Sequence, residues 1–192
     1  AKEHGIYFDL NPRNVKIGCT HGDRTEMEIE HLIKCQKYFD SDFITTQERY
    51  ALGLFLFSTQ TGIRYSDCRK ENGDSIKNNV FHLKASKTQK LLRIPLSNYA
   101  RYLATQIDWN YKISDDKFRK HLRSAFKTAK VNRKYTFHNA RHTYATNLYR
   151  ETRDIRYVKT MLQHSSYREV EIYVNYVEQE EDIRVFKGPA FN

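Results

Sequence analysis

Residues 137–176 read FHNARHTYATNLYRETRDIRYVKTMLQHSSYREVEIYVNY, and the rest of the chain is organised around them. Thr136 stands as an N-cap, and His138, Arg141 and His142 follow at i, i+3 and i+4, a spacing that puts three basic side chains on one helical face. Nine residues after His164 comes Tyr173, on a segment where Ser166 and Glu169 have capping-box spacing. Val170, Tyr173, Val174 and Val177 share one face there, so this tyrosine is turned inward. Three short helical segments are therefore expected. Like charges repel and buried basic groups lose hydration, so cations clustered around a phenol need an anion to compensate them. A phosphodiester fits: guanidinium forks grip its oxygens in pairs, imidazoles relay protons, and a tyrosine oxygen can attack phosphorus.

The whole composition agrees with such a partner. Among 192 residues, 33 Lys and Arg stand against 23 Asp and Glu, a formal charge of +10 that points to a polyanion, most simply nucleic acid. A hydrophobic content of 39% with 14% aromatics belongs to a folded globular chain rather than a disordered one. No apolar run reaches the roughly 18 residues of a membrane span, and the N-terminus AKEHGIYFDLNPRN lacks a signal-peptide core, so no membrane partner and an intracellular, cytoplasmic location are expected. Cys19, Cys35 and Cys68 are odd in number and far apart, which speaks against a disulfide framework and a CxxC metal site.

Outward from the central stretch, residues 1–24 hold Pro12, Gly5, Gly18 and Gly22 without periodicity and read as an extended lead-in or interdomain linker. A helix is expected from Arg24 to Phe39, ended by the Asp40–Asp42 run. Thr45 and Glu48 have capping-box spacing before a nearly all-apolar run from Tyr50 to Phe57, the signature of a helix through the core. It stops at Thr61-Gly62, and Arg64 falls at the junction to the next helical turn, Ile63 to Asp67. VFHLKAS and LLRIPL form two strand-like runs around a basic tip, a β-hairpin whose Pro95 marks an edge or strand end. Ser97 caps a helix through Ile107, and Ser114 caps another whose Phe118, Leu122, Ala125, Phe126 and Ala129 recur at helical spacing. Residues 178–192 change from acidic (Glu178, Glu180, Glu181, Asp182) to apolar (Val185, Phe186, Phe191), which reads as a tail that docks on a neighbouring subunit or back on its own domain. The expected architecture is mainly α with a small antiparallel β-sheet, α+β, with the working domain at 25–177.

The motifs TGIRYSD, SKTQK, HNARH and LQHSS, followed by Tyr173, resemble in kind and order those of the tyrosine recombinase (phage integrase) catalytic domain. The resemblance implies a site-specific DNA recombinase or integrase of mobile elements that cuts and rejoins double-stranded DNA through a 3′-phosphotyrosine. Arg64 and Arg141 would clamp the scissile phosphate, and Lys87 would protonate the leaving 5′ oxygen. His138 would handle the proton of the attacking Tyr173, and His164 would hydrogen-bond the phosphate. Asp67 would orient an arginine or histidine, and His142 would be a packed, hydrogen-bonded support rather than a participant. It also implies assembly as a homo-oligomer, a tetramer, on DNA, with no cofactor and no metal. Two departures accompany the match. Gln163 stands where the family has glycine before the histidine, and the helical N-terminal DNA-clamping domain is not seen in this sequence.

Three other readings compete. Type IB topoisomerase-like strand relaxation uses the same chemistry, and a non-catalytic DNA-binding protein explains the charge but not six catalytic residue types together. A metallohydrolase draws on the i, i+4 spacing of His138 and His142, yet Asn139 stands where the zincin pattern needs glutamate.

Overall fold

The apolar run anticipated as a central helix lies in a helix at Thr46–Thr61, here α2, whose residues 50–59 are all buried. The Glu48 amide donates to the Thr45 hydroxyl at 3.3 Å, and that hydroxyl donates to the Glu48 carboxylate at 2.9 Å. This closes the N-terminus as the capping-box spacing predicts. At the other end Gly62 adopts φ 66°, and its N–H reaches the Ser58 carbonyl at 2.8 Å. The computed structural model describes residues 25–187 apart from 72, 87, 88 and 90. The lead-in at 1–24, the end of the tail at 188–192 and Lys87 thus lie outside the described residues.

Four helices pack on α2: α1 (Ile29–Phe39), α4 (Asn98–Gln106), α5 (Asp115–Thr128) and α6 (Phe137–Thr152). Edge-on ring contacts fill the space between, with Phe55 against Phe126 at 5.0 Å and Phe57 against Phe81 and Trp109 at 5.6 and 5.4 Å. Each fully buried phenylalanine contributes on the order of 1.5–3 kcal/mol by leaving water. The short α3 (Tyr65–Cys68) follows the α2 C-terminus. A three-stranded antiparallel sheet then forms from β1 (Ile76–Lys77), β2 (Val80–Lys84) and β3 (Leu91–Pro95), in the order β1-β2-β3. Phe81 and Ile94 pair on its buried face, whereas His82 and Arg93 pair on the other. The hairpin and the edge position of Pro95 agree with the sequence. The two-residue β1 is an addition, too short for any periodicity to announce it.

Two segments depart from expectation. α1 begins at Ile29 rather than Arg24, because residues 25–28 run extended along α6. There the Met27 backbone amide donates to the Thr143 hydroxyl at 2.8 Å and the Asn139 side-chain Nδ2–H to the Thr25 carbonyl at 2.8 Å. Arg150 grips the Glu26 carboxylate with two bonds of 2.6 Å. After α7 (Ile155–Leu162) comes α8, which extends over Arg168–Lys187. The third segment of the central stretch is thus long, and its helical backbone continues past the boundary expected at 177. Ser166 does not open that helix with a capping box: its hydroxyl accepts from the Arg168 amide at 3.1 Å, while Glu169 faces His164. Among the described residues, no helix is long and apolar enough to cross a membrane.

Gly62 is the position where the fold depends on a missing side chain. An added Cβ would lie 2.4 Å from Tyr144 Cδ1, in a left-handed backbone that alone costs an L-residue about 1–2 kcal/mol. Gly62→Ala is therefore expected to lower stability by at least that amount, read as a reduced urea midpoint at unchanged slope.

Candidate active site

Arg64 is the N-cap residue of α3, and Arg141 lies on α6 with 4% of its surface exposed. The Arg141 guanidinium donates Nη1–H to the Gly62 carbonyl at 2.5 Å and Nη2–H to the Leu162 carbonyl. Arg64 Nη2 reaches the same Leu162 oxygen at 3.5 Å. Those carbonyls close α2 and α7, where unsatisfied oxygens carry the partial negative charge of a helix C-terminus. Dipoles rather than carboxylates hold the two arginines. Burial, and then the neighbouring Arg64 charge, pull Arg141 down to about 10, still charged at neutral pH. Two guanidiniums side by side with donors to spare form a socket for an oxyanion.

His164 follows Gln163, which ends α7 in the left-handed conformation at φ 50° and ψ 41°. The glutamine thus occupies the backbone state that favours glycine, at a cost of about 1 kcal/mol. Burial first, then the Arg141 charge, depress the His164 imidazole to about 4 against the pull of Glu169, so it is neutral at physiological pH. Its Nδ1 lies 3.4 Å from the Glu169 carboxylate.

Tyr173 projects from α8 with 3% exposure, packed with Tyr149, Val158, Leu162, Val170 and Val177. Its hydroxyl lies 3.0 Å from His142 Nδ1. His138, expected to serve that hydroxyl, is exposed, and its ring stands edge-on to His142 at 4.5 Å between centroids. In the DNA-free fold His142, expected as a support, thus lies within hydrogen-bond distance of the phenol. The i+4 step from His138 turns His142 toward α8, a fact that spacing within one helix does not contain. Tyr176, the rival nucleophile, is half-buried. A cleft of about 250 Å³ joins Arg64, His138, Arg141, His142, His164 and Tyr173, large enough for a phosphate group.

Asp67, 1% exposed, accepts the Ser86 amide at 2.9 Å. It thereby holds the start of the hairpin loop that carries Lys87. Lys87 itself lies outside the described residues, and its rival Lys84 is exposed at the end of β2. No group of three or more His, Cys, Asp or Glu among the described residues is arranged to hold a metal ion.

Comparison with known proteins places the chain in a family. The Phage integrase family profile matches residues 24–180. Similar solved structures include XerH site-specific recombinase bound to palindromic difH substrate in a post-cleavage complex, at 19% identity and a TM-score of 0.68 over 85% of this chain. XerA recombinase matches at 16% identity and 0.67 over 87%, and a lambda integrase tetramer bound to a Holliday junction at 16% and 0.58 over 78%. The chain spans 54%, 66% and 47% of those three chains, respectively. A comparison with curated proteins finds no match.

The depressed His164 makes stability depend on pH. Its folded value lies below the ordinary 6.5, so the unfolded chain binds more protons between about pH 6.5 and 4 and stability falls as pH drops through that window. His164→Gln is expected to flatten this part of the profile, measured by thermal unfolding across the range.

Proposed function

The chain belongs to the phage integrase family, and from that membership we propose that it carries the DNA-cleaving and rejoining site of a tyrosine-type site-specific recombinase. One observation carries the reading. The buried Tyr173 hydroxyl shares a cleft with two guanidiniums whose hydrogen-bond partners are carbonyls, which leaves their charge for a phosphate.

In the proposed reaction a phosphodiester enters the cleft with its non-bridging oxygens on Arg64 and Arg141. Their fixed positive charge matches the extra negative charge of the pentacoordinate transition state, so it lowers the barrier more than it tightens ground-state binding. The neutral His164 adds a hydrogen-bond donor to a phosphate oxygen. Tyr173 Oη bonds to phosphorus as its proton passes to a histidine of the cleft, for which the family resemblance names His138, the P–O5′ bond breaks, and the 5′ oxygen takes a proton from Lys87. A 3′-phosphotyrosine keeps the bond energy, and a 5′ hydroxyl of a partner strand reverses the step without ATP. Asp67, by fixing Ser86, sets where the lysine loop leaves β2. Double-stranded DNA is the proposed substrate, and a homotetramer on DNA the working assembly. In support, solved relatives are described as bound to difH substrate and, for lambda integrase, as a tetramer on a Holliday junction. Integration, excision and resolution share this chemistry and differ in partner sites.

The test is covalent capture. Wild-type protein is incubated in chelator with a pool of nicked, labelled duplexes that includes random sequence, and adducts are resolved by denaturing electrophoresis. A covalent band is expected, absent from Tyr173→Phe and reduced about 10²–10³-fold in Arg141→Lys. Persistence of the band in Tyr173→Phe would overturn the nucleophile. Salt-sensitive binding without any band would favour a DNA-holding protein that kept the fold.

A further inference from the structure

We propose that Glu169 is a positioning residue of this site: its carboxylate takes one N–H of His164, so that the ring meets an entering phosphate with the other. The inference rests on the recombinase reading for its phosphate and names what holds the histidine toward it.

The turn between α7 and α8 brings the pair together, and backbone bonds fix both ends. The His164 amide donates to the Lys159 carbonyl at 3.1 Å, directly after the left-handed Gln163. Glu169 stands in the first turn of α8, where a helix N-terminus suits an acidic side chain. The Val170 and Glu171 amides beside it both donate to the Tyr167 carbonyl, at 2.8 and 2.9 Å. Glu169 Oε2 thereby lies 3.4 Å from His164 Nδ1, and both residues line the cleft with Arg64, Arg141 and Tyr173. Nδ1 is buried without a hydrogen bond in the empty site: the carboxylate is near, but the bond is not made. A hidden polar atom beside an acceptor it does not use is a contact prepared for another state.

Proton counting says which state. A neutral imidazole has a single N–H. Given to Glu169 through Nδ1, it leaves Nε2 with a bare lone pair toward the phosphate; given to the phosphate, it leaves Nδ1 with a bare lone pair toward the carboxylate. Between two anions only the imidazolium donates to both. The charged and titratable groups facing the ring are Glu169 from α8, Arg141 and His138 from α6, and Arg64 from the start of α3. Burial first, then Arg141, hold the ring at about 4 in the empty site, with Glu169 pulling the other way. A bound phosphate offsets the two arginines and adds a negative charge of its own. At about 4 Å a unit charge moves a partly buried titration by roughly three pH units, enough to bring this histidine to the neutral range. His164 therefore takes a proton from solvent as the phosphate enters, and the Glu169 carboxylate stabilises the charge that results.

Glu169→Gln keeps the size and reach of the side chain and removes its charge. On a nicked duplex captured by the wild type, adduct formation at neutral pH is expected to fall about tenfold, while gel-shift affinity is retained or tightens because an acidic group has left the DNA face. The alkaline limb of the pH–rate profile is expected to move down by about one unit: the carboxylate favours the charged ring, so without it the proton leaves at lower pH. With His164→Gln already in place, Glu169→Gln is expected to add nothing, whereas a purely structural carboxylate would still matter. Independently of cleavage, protein carrying isotope-labelled histidine is titrated by NMR with and without saturating inorganic phosphate. His164 is expected to titrate at higher pH in phosphate, and by a smaller margin in Glu169→Gln. An unmoved alkaline limb in Glu169→Gln, or an equal loss whether or not residue 164 is histidine, overturns the assignment. A wild type that forms no adduct on any duplex brings down the recombinase reading alone. The phosphate titration then decides the pair, which falls if His164 titrates alike with and without phosphate.

Discussion

The buried guanidinium of Arg141 is the joint on which the molecule depends. One face of α6 belongs to the core around α2, through Ala140, and the next turn belongs to the smaller core with α7 and α8, through Ala145. Arg141 lies between those turns and bridges the carbonyls of Gly62 and Leu162, the terminal oxygens of one helix from each side. Two helix ends with unsatisfied acceptors and a buried cation with unsatisfied donors are each costly alone. Brought together they satisfy one another, and the position of the cation follows from the fold. Truncating the side chain would take the Arg141 donor from both carbonyls, leaving Leu162 only its 3.5 Å contact with Arg64, as well as removing the charge, so its structural and chemical roles are not separable by deletion.

The opposite side of α6 is fixed by chain from far away in sequence. Asn139, between His138 and Arg141, accepts the Thr136 amide at 2.7 Å and donates to the Thr25 carbonyl. Arg133 adds a 3.1 Å bond to Glu28, and Arg150 its paired bonds to Glu26. The segment 25–28, just after the lead-in, is thereby strapped along the helix that presents His138, Arg141 and His142. Whatever pulls on the chain ahead of residue 25 pulls on that helix. Partly buried, doubly bonded pairs such as Arg150–Glu26 transmit such a load better than exposed single pairs, whose geometry is loose.

What the sequence made legible follows from the range of each signal. The caps at Thr45, Ser97 and Ser114, the apolar run of α2 and the amphipathic α5 are local patterns, and each element appeared where its residues placed it. The nine-residue step from His164 to Tyr173 brought both side chains into one cleft because the α7–α8 turn between them is short. Contacts between elements were not legible. The strap at 25–28 stood inside an expected helix because its partners lie more than a hundred residues away, and the approach of His142 to Tyr173 was not legible because the two lie on different helices. Glu169 was read as a cap for the same reason: nothing in SSYRE states that His164 faces back toward it.

Why a protein keeps two arginines and several histidines together before any phosphate arrives is answered by the kind of counter-charge it uses. A carboxylate paired to either guanidinium would stabilise the empty site and then compete with the substrate for the same donors. Helix C-terminal carbonyls offer partial charges instead, enough to orient Arg141 and Arg64 but not to neutralise them. Burial keeps His164 uncharged and so removes one cation from the cluster. Glu169 sets its carboxylate beside that histidine, where it offsets the local positive potential without occupying the arginine forks. The unliganded fold is therefore stable enough to form while its guanidiniums remain under-compensated, and that remaining imbalance is what a phosphate can satisfy.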